Sequence, residues 1–162
     1  MKYFLVNHRC YLLESAINET LRVSRNGCVV RCAMEDTNLT FPDGKSLKLK
    51  KGDRVMMPTS LRYQESTTFQ NPLMYAYDRF VDYETKPPSC ALNGFSPFGL
   101  GKSVCPGRYF AIDLVKIIVA VLVHETEMEL VANGNAAYDY SSVGVYSPKD
   151  VDQVQVKIKY TR

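Results

Sequence analysis

The stretch Phe98-Gly99-Leu100-Gly101-Lys102-Ser103-Val104-Cys105-Pro106-Gly107-Arg108-Tyr109-Phe110-Ala111 decides how the rest of the chain is read. A glycine-punctuated loop delivers one cysteine to the start of a long apolar run whose pattern predicts a helix. Pro106 suits the first helical position, where its missing N–H is no loss and its fixed φ is already helical. Cys105 then sits at the positive end of the helix dipole, where thiolate is favoured over thiol. Amides of the first turn are free to point at the sulfur. Gly99 and Gly101 let the loop backbone lie flat against a partner, and Gly107 lets the helix start come equally close. The simpler reading is a buried cysteine in a loop-to-helix turn, but it leaves three glycines and a proline without a purpose.

A sulfur set among glycines suits a large flat partner, and haem iron is the natural one. Phe98-x-x-Gly101-x-x-x-Cys105-x-Gly107, together with Pro97 and Ala111, resembles the haem-thiolate signature of the cytochrome P-450 monooxygenases. The resemblance implies that Cys105 ligates the iron of haem b. It also implies that Phe98, Gly99, Gly101, Gly107 and Ala111 bind the cofactor, with Phe98 near the ligand and tuning its potential. Many family members carry His or Arg two residues before the cysteine, where it meets a haem propionate. This chain has Ser103 there, preceded by Lys102; Ser donates a hydrogen bond but no charge. Those two residues are the candidates left for that contact.

Upstream, Leu12, Leu13, Ala16, Ile17 and Leu21 follow helical spacing and predict a helix from about Tyr11 to Ser24. Glu19 and Arg22 share one face of it. Taken alone they read as a surface ion pair. Beside the cysteine motif they resemble the family's Glu-x-x-Arg pair, and Arg79, in Tyr77-Asp78-Arg79-Phe80, is the implied third member of a rigid Arg–Glu–Arg network. After Gly27 the chain turns to strands. Val29 to Met34 carries Arg31, which is either an edge-strand charge facing water or, by resemblance, the arginine that pairs with a propionate. The backbone between Asn26 and Val30 corresponds to a segment that touches substrate in the family. Asn38–Phe41 and Leu47–Leu49 flank the turn Pro42-Asp43-Gly44, and Val55–Met57 follows Lys51-Gly52-Asp53. Together these predict one small antiparallel sheet, with Lys45, Lys48, Lys50 and Lys51 on its solvated face. A short helix after Leu61, a break at Asn71-Pro72 and a meander from Asp82 to Asn93 lead to the cysteine loop. By resemblance the meander faces the redox partner.

Beyond Cys105, Ile112, Val115, Val119, Leu122 and Val123 form a broad apolar arc that Ile117, Ile118 and Val121 widen. A helix apolar on nearly all sides is buried in a larger fold. His124 reads as a charge at the helix C-terminus rather than an iron ligand. Asn133-Gly134-Asn135 is a stop. The turn at Val143-Gly144-Val145 is one that, by resemblance, enters the substrate pocket. Val154, Val156, Ile158 and Tyr160 alternate with polar residues as in a half-buried strand.

At 162 residues, 46% hydrophobic, the chain is the size of one domain. A net charge of +3 is too small to argue for nucleic acid. The longest apolar run, Ile117 to Val123, is far short of a membrane span. Five cysteines without regular spacing do not suggest a disulfide framework, and Cys28 and Cys32 with so few histidines do not suggest zinc. Cys10, Cys28, Cys32 and Cys90 read as reduced core or surface thiols.

The expected fold is mainly α with small antiparallel sheets, an α+β arrangement. The resemblance runs from about Leu12 to Tyr160 but covers only the carboxy-terminal part of the family fold. Residues 1–162 are therefore expected to be the carboxy-terminal haem-binding portion of one cytochrome P-450 domain, as a fragment, a truncated product or an incomplete gene model. The membrane anchor and the helix with the acid–alcohol pair are expected to lie elsewhere. The closing pattern resembles the branch that holds sterol 7-alpha and 12-alpha hydroxylases and prostacyclin synthase. The resemblance implies a monooxygenase that takes electrons from NADPH-cytochrome P-450 reductase or another donor and oxidises a lipophilic substrate such as a sterol or fatty-acid derivative. The complete protein would sit at the endoplasmic reticulum membrane. Lys102, Arg108 and Lys116 are either positive charges offered to an acidic reductase or an ordinary solvated surface. Two other readings stay open: an isomerase of the prostacyclin-synthase kind, and a polypeptide in which Cys105 carries no iron.

Overall fold

The computed structural model describes residues 10–86, 88–92, 94–131, 138–139, 144–145, 147–148 and 156–161. Its first element, α1 (Tyr11–Ser24), has the bounds that spacing predicts, yet its buried face is the polar one. Ser15, Asn18, Glu19 and Arg22 are buried with Ile17, while Leu12 is exposed. Each polar group has a partner, which is what burial demands. Ser15 Oγ accepts from the Phe80 amide at 3.0 Å. Asn18 donates to the Glu14 carbonyl at 3.0 Å and to Cys90 Sγ at 3.6 Å.

Strands β1 (Arg25–Asn26) and β2 (Cys28–Cys32) follow, then the hairpin β3 (Thr37–Thr40) and β4 (Ser46–Leu49), then β5 (Arg54–Pro58). The expected single sheet is two separate ladders. β3 pairs with β4 across the Gly44 turn, and β2 pairs with β5 from Cys28↔Pro58 to Cys32↔Arg54. The hairpin is thus an excursion between two partners that close behind it. Gly44 (φ +83°) and Gly52 (φ +94°) take the left-handed backbone at the two turns.

Helix α2 (Thr59–Tyr63) continues directly from β5. Its start is tied down twice, since both the amide and the hydroxyl of Thr59 donate to the Gly27 carbonyl at 2.8 Å. Tyr63 enters a core of four rings with Phe69, Phe80 and Phe95. Tyr63 meets Phe95 edge-on at 4.8 Å between centroids, and Phe80 stacks on Phe95 at 5.0 Å. The small ladder of β6 (Val81–Asp82) and β7 (Ser89–Cys90) leads from this core towards the cysteine loop.

The cysteine helix, α3 (Arg108–Glu125), begins two residues later than expected. Pro106 and Gly107 form a turn before it, so Pro106 is not its first residue. Tyr109, Phe110, Leu114, Val115, Ile118, Val121, Leu122 and Val123 all keep substantial exposure; this helix is not enclosed by the described residues. Its buried residue is a cation. Lys116 is 3% exposed and its Nζ pairs with Glu14 Oε2 of α1 at 2.5 Å. This corrects both readings of Lys116, for it is neither solvated nor offered to a partner. His124, in the last turn, pairs with its exposed neighbour Glu125.

Strand β8 (Thr126–Leu130) pairs with β12 (Val156–Tyr160), from Thr126↔Tyr160 to Leu130↔Val156. β12 is exposed on both faces, where one buried face was expected. Two short ladders complete the described strands: β9 (Tyr138–Asp139) with β11 (Ser147–Pro148), and β1 with β10 (Gly144–Val145). The stop at 133–135, Val143 and Val154 lie outside the described residues. Among the described residues no helix is long and apolar enough to cross a membrane.

Candidate functional site

A buried ionic node anchors the scaffold behind the site. Arg22 grips Glu19 with two parallel hydrogen bonds, Nε to Oε2 at 2.8 Å and Nη2 to Oε1 at 2.9 Å. Arg79 Nε donates to both oxygens, at 3.0 and 2.9 Å, and the Ala76 amide adds a further bond at 3.0 Å. The arginines spend their remaining donors on backbone carbonyls: Arg22 on Tyr63 at 2.7 Å, Arg79 on Gln70, Asn71 and Met74. Burial pushes the Glu19 carboxyl up. Arg22, the Ala76 amide and Arg79 outweigh it and hold the group below its ordinary value. The Arg22 guanidinium also lies over the Phe69 ring at 5.4 Å, which joins the node to the aromatic core.

The cysteine loop is closed by its own backbone. The Cys105 amide donates to the Phe98 carbonyl at 2.9 Å, and a short 3-10 turn over Gly101–Ser103 is bounded by the Val104 amide on the Gly101 carbonyl at 3.2 Å. Gly99 and Gly101 adopt φ of +84° and +63°. A Cβ on Gly99 would stand 3.2 Å from the Ser103 carbonyl oxygen, so its backbone and its space both favour glycine. Gly107 is different. Its φ of −83° is open to any residue, and a Cβ there would meet Cys105 Sγ at 4.0 Å. A side chain at 107 would thus come into ordinary van der Waals contact with the sulfur without a clash. Ala111 makes the first helical bond of α3, its amide on the Gly107 carbonyl at 2.9 Å.

Cys105 is exposed and free. It opens on a cavity of about 650 Å³ whose walls are the loop (Phe98, Gly99, Ser103), β2 (Val29, Val30, Arg31) and α2 (Arg62, Tyr63). Arg31 is thus brought to the same cavity as the sulfur, with one donor on the Val30 carbonyl at 2.9 Å. Ser103 lines the cavity, and Lys102 stands beside it in the same short turn, outside the lining. Arg62 also faces this space; as a single basic residue in an irregular stretch, it gave no signal in the sequence. Cys28 is the other thiol of the cavity. Cys90 lies apart, with its thiol pushed up to about 11, first by burial and then by the Glu14 charge.

The donor set fits a thiolate-ligated haem. An accessible sulfur faces a cleft lined by Gly94 and Gly99, by apolar side chains and by cations that match carboxylates. Among the described residues no group of three or more His, Cys, Asp or Glu is placed to hold a bare metal ion.

A family model described as cytochrome P-450 matches residues 7–155. Cytochrome P-450 7B1 of Mus musculus is 31% identical over 158 residues, which are 93% of this chain and 31% of the relative. The 25-hydroxycholesterol 7-alpha-hydroxylase of Rattus norvegicus is also 31% identical, over 93% of this chain and 38% of its own length. Prostacyclin synthase of Rattus norvegicus is 25% identical, over 91% and 32%. A solved cytochrome P-450 structure superposes with a TM-score of 0.69 at 23% identity, covering 91% of this chain and 31% of its own; it shows the fold alone. The chain spans about a third of the length of these relatives.

Proposed function

Because this chain belongs to the cytochrome P-450 family, we propose that it is the haem-thiolate portion of a monooxygenase acting on a sterol-like lipophilic substrate, with Cys105 as the axial ligand. Members of the family bind haem b through a cysteine thiolate. The observation that carries the reading is the free Cys105 lining one cavity with Phe98, Gly99 and Arg31. Bound there, haem with a thiolate ligand would supply the electron push that favours O–O cleavage.

The chain's own residues have separable tasks. Phe98, Gly99, Gly101, Gly107 and Ala111 shape the ligand's surroundings, and Arg31 holds a propionate through its fork of donors. Val29 and Val30, on the cavity wall, present an apolar surface to a lipophilic substrate. Glu19, Arg22 and Arg79 touch neither cofactor nor substrate; they keep α1, α2 and the segment before the loop in register. Residues 1–162 form the carboxy-terminal part of one such domain. The complete protein draws electrons from NADPH-cytochrome P-450 reductase or a similar donor at the endoplasmic reticulum membrane. Sterol chemistry is favoured over peroxide isomerisation because the sterol hydroxylases share more identity with the chain than prostacyclin synthase does.

The test is a difference spectrum of the reduced, carbon-monoxide-bound form after expression with ample haem. The expected result is the strongly red-shifted Soret band of a thiolate ligand, lost in Cys105→Ser. A band that persists in Cys105→Ser would remove Cys105 from the iron.

A further inference from the structure

The charge of the Cys105 cavity is larger than the residues assigned so far explain. Among the described residues that line it, Arg31 and Arg62 are the cations, and no Asp or Glu faces them. Neither guanidinium takes part in an ion pair with a described residue. A cavity whose described lining carries two arginines and no carboxylate suits a ligand with two anionic groups, and haem b carries two carboxylates on one edge of its ring.

We propose that Arg62 holds the second haem propionate, in partnership with Arg31 and in place of the basic residue that Ser103 replaces. The proposal rests on the reading of Cys105 as the iron ligand. Position supports it. Thr59 ties the start of α2 to Gly27 through two bonds of 2.8 Å, and Gly27 immediately precedes β2, the strand of Arg31. Pro58, which leads into α2, is the register partner of Cys28. Arg31 lies three residues along β2 from that junction, about 10 Å at strand rise. Arg62 lies one turn into α2, about 5 Å along its axis. One junction therefore carries both arginines, on long stems, to one cavity. Ser103, on the same wall, contributes a hydroxyl but no charge. A planar guanidinium fork matches a carboxylate better than a point charge does.

The test compares haem b with its dimethyl ester, whose propionates carry no charge, each loaded into the full chain. Release to excess apomyoglobin is timed for wild type, Arg62→Ala and Arg62→Lys. Arg62→Ala is expected to release haem b about tenfold faster than wild type, with Arg62→Lys between them. All three are expected to release the dimethyl ester at one rate, and the thiolate Soret band is expected to survive in Arg62→Ala. Unchanged release of haem b in Arg62→Ala overturns the assignment and leaves Cys105 as ligand. Equal acceleration of both porphyrins overturns it too, because Arg62 would then be supporting the fold rather than a carboxylate. A wild-type chain with no thiolate band overturns both readings together.

Discussion

The Glu19 node and the Cys105 loop are built on opposite plans. At the node every strong donor and acceptor is consumed inside the protein: two arginines, one carboxylate and five backbone groups close on one another beneath an aromatic core. At the loop the backbone closes on itself through Phe98 and Cys105, but the sulfur and the two cavity arginines are left open. A closed polar cluster costs most when one member is removed, whereas an open one can lose a member with little effect on folding. Stability should therefore belong to the first region and ligand chemistry to the second.

The largest expected effect is at the node. Glu19→Gln or Arg79→Ala should lower unfolding free energy by about 3–5 kcal/mol, because each strands a buried charge. Cys105→Ser should stay within about 0.5 kcal/mol, as an exposed side chain outside any disulfide. Urea denaturation of the three variants measures the contrast directly, and comparable losses at both regions would break it. Gly99→Ala comes next, at about 1–3 kcal/mol for forcing a Cβ into a left-handed backbone. Gly107→Ala, whose φ any residue can adopt, should be close to neutral in stability and should perturb the Soret band instead. Lys116→Met should cost about 1–3 kcal/mol by leaving Glu14 unpaired, with much of that recovered in the double variant with Glu14→Gln.

The node also sets an acid limit. The folded-state pKa of Glu19 is lowered, so its contribution is complete above the ordinary glutamate value and disappears as pH falls through the lower folded value. Urea midpoints measured downwards from pH 5 should fall more steeply in wild type than in Glu19→Gln. Parallel curves would mean that this carboxylate is not what acid attacks.

Much of this architecture was legible in the sequence, for reasons that differ by element. Helix α1 has the bounds its apolar spacing predicts, and both the family and its branch are those that the motif and the closing pattern indicated. The buried face of α1 was not legible. Ser15 and Asn18 look like surface residues until the Phe80 amide and Cys90, 65 and 72 positions away, are brought against them. Turn residues marked the hairpin at Gly44, but local chemistry does not say which strands pair across it, so the β2–β5 ladder was missed as a separate sheet. Lys116 reads as a surface charge because nothing near it in sequence reveals Glu14 on another helix. Arg62 was invisible for a similar reason: its relation to Arg31 exists only through the Thr59–Gly27 clamp.

The central claim concerns one bond. Iron K-edge absorption of the haem-loaded chain, read for the atoms in the metal's first shell, tests it most directly. The account predicts one sulfur neighbour in wild type and none in Cys105→Ser. A first shell of nitrogen and oxygen alone in the wild-type protein would contradict it.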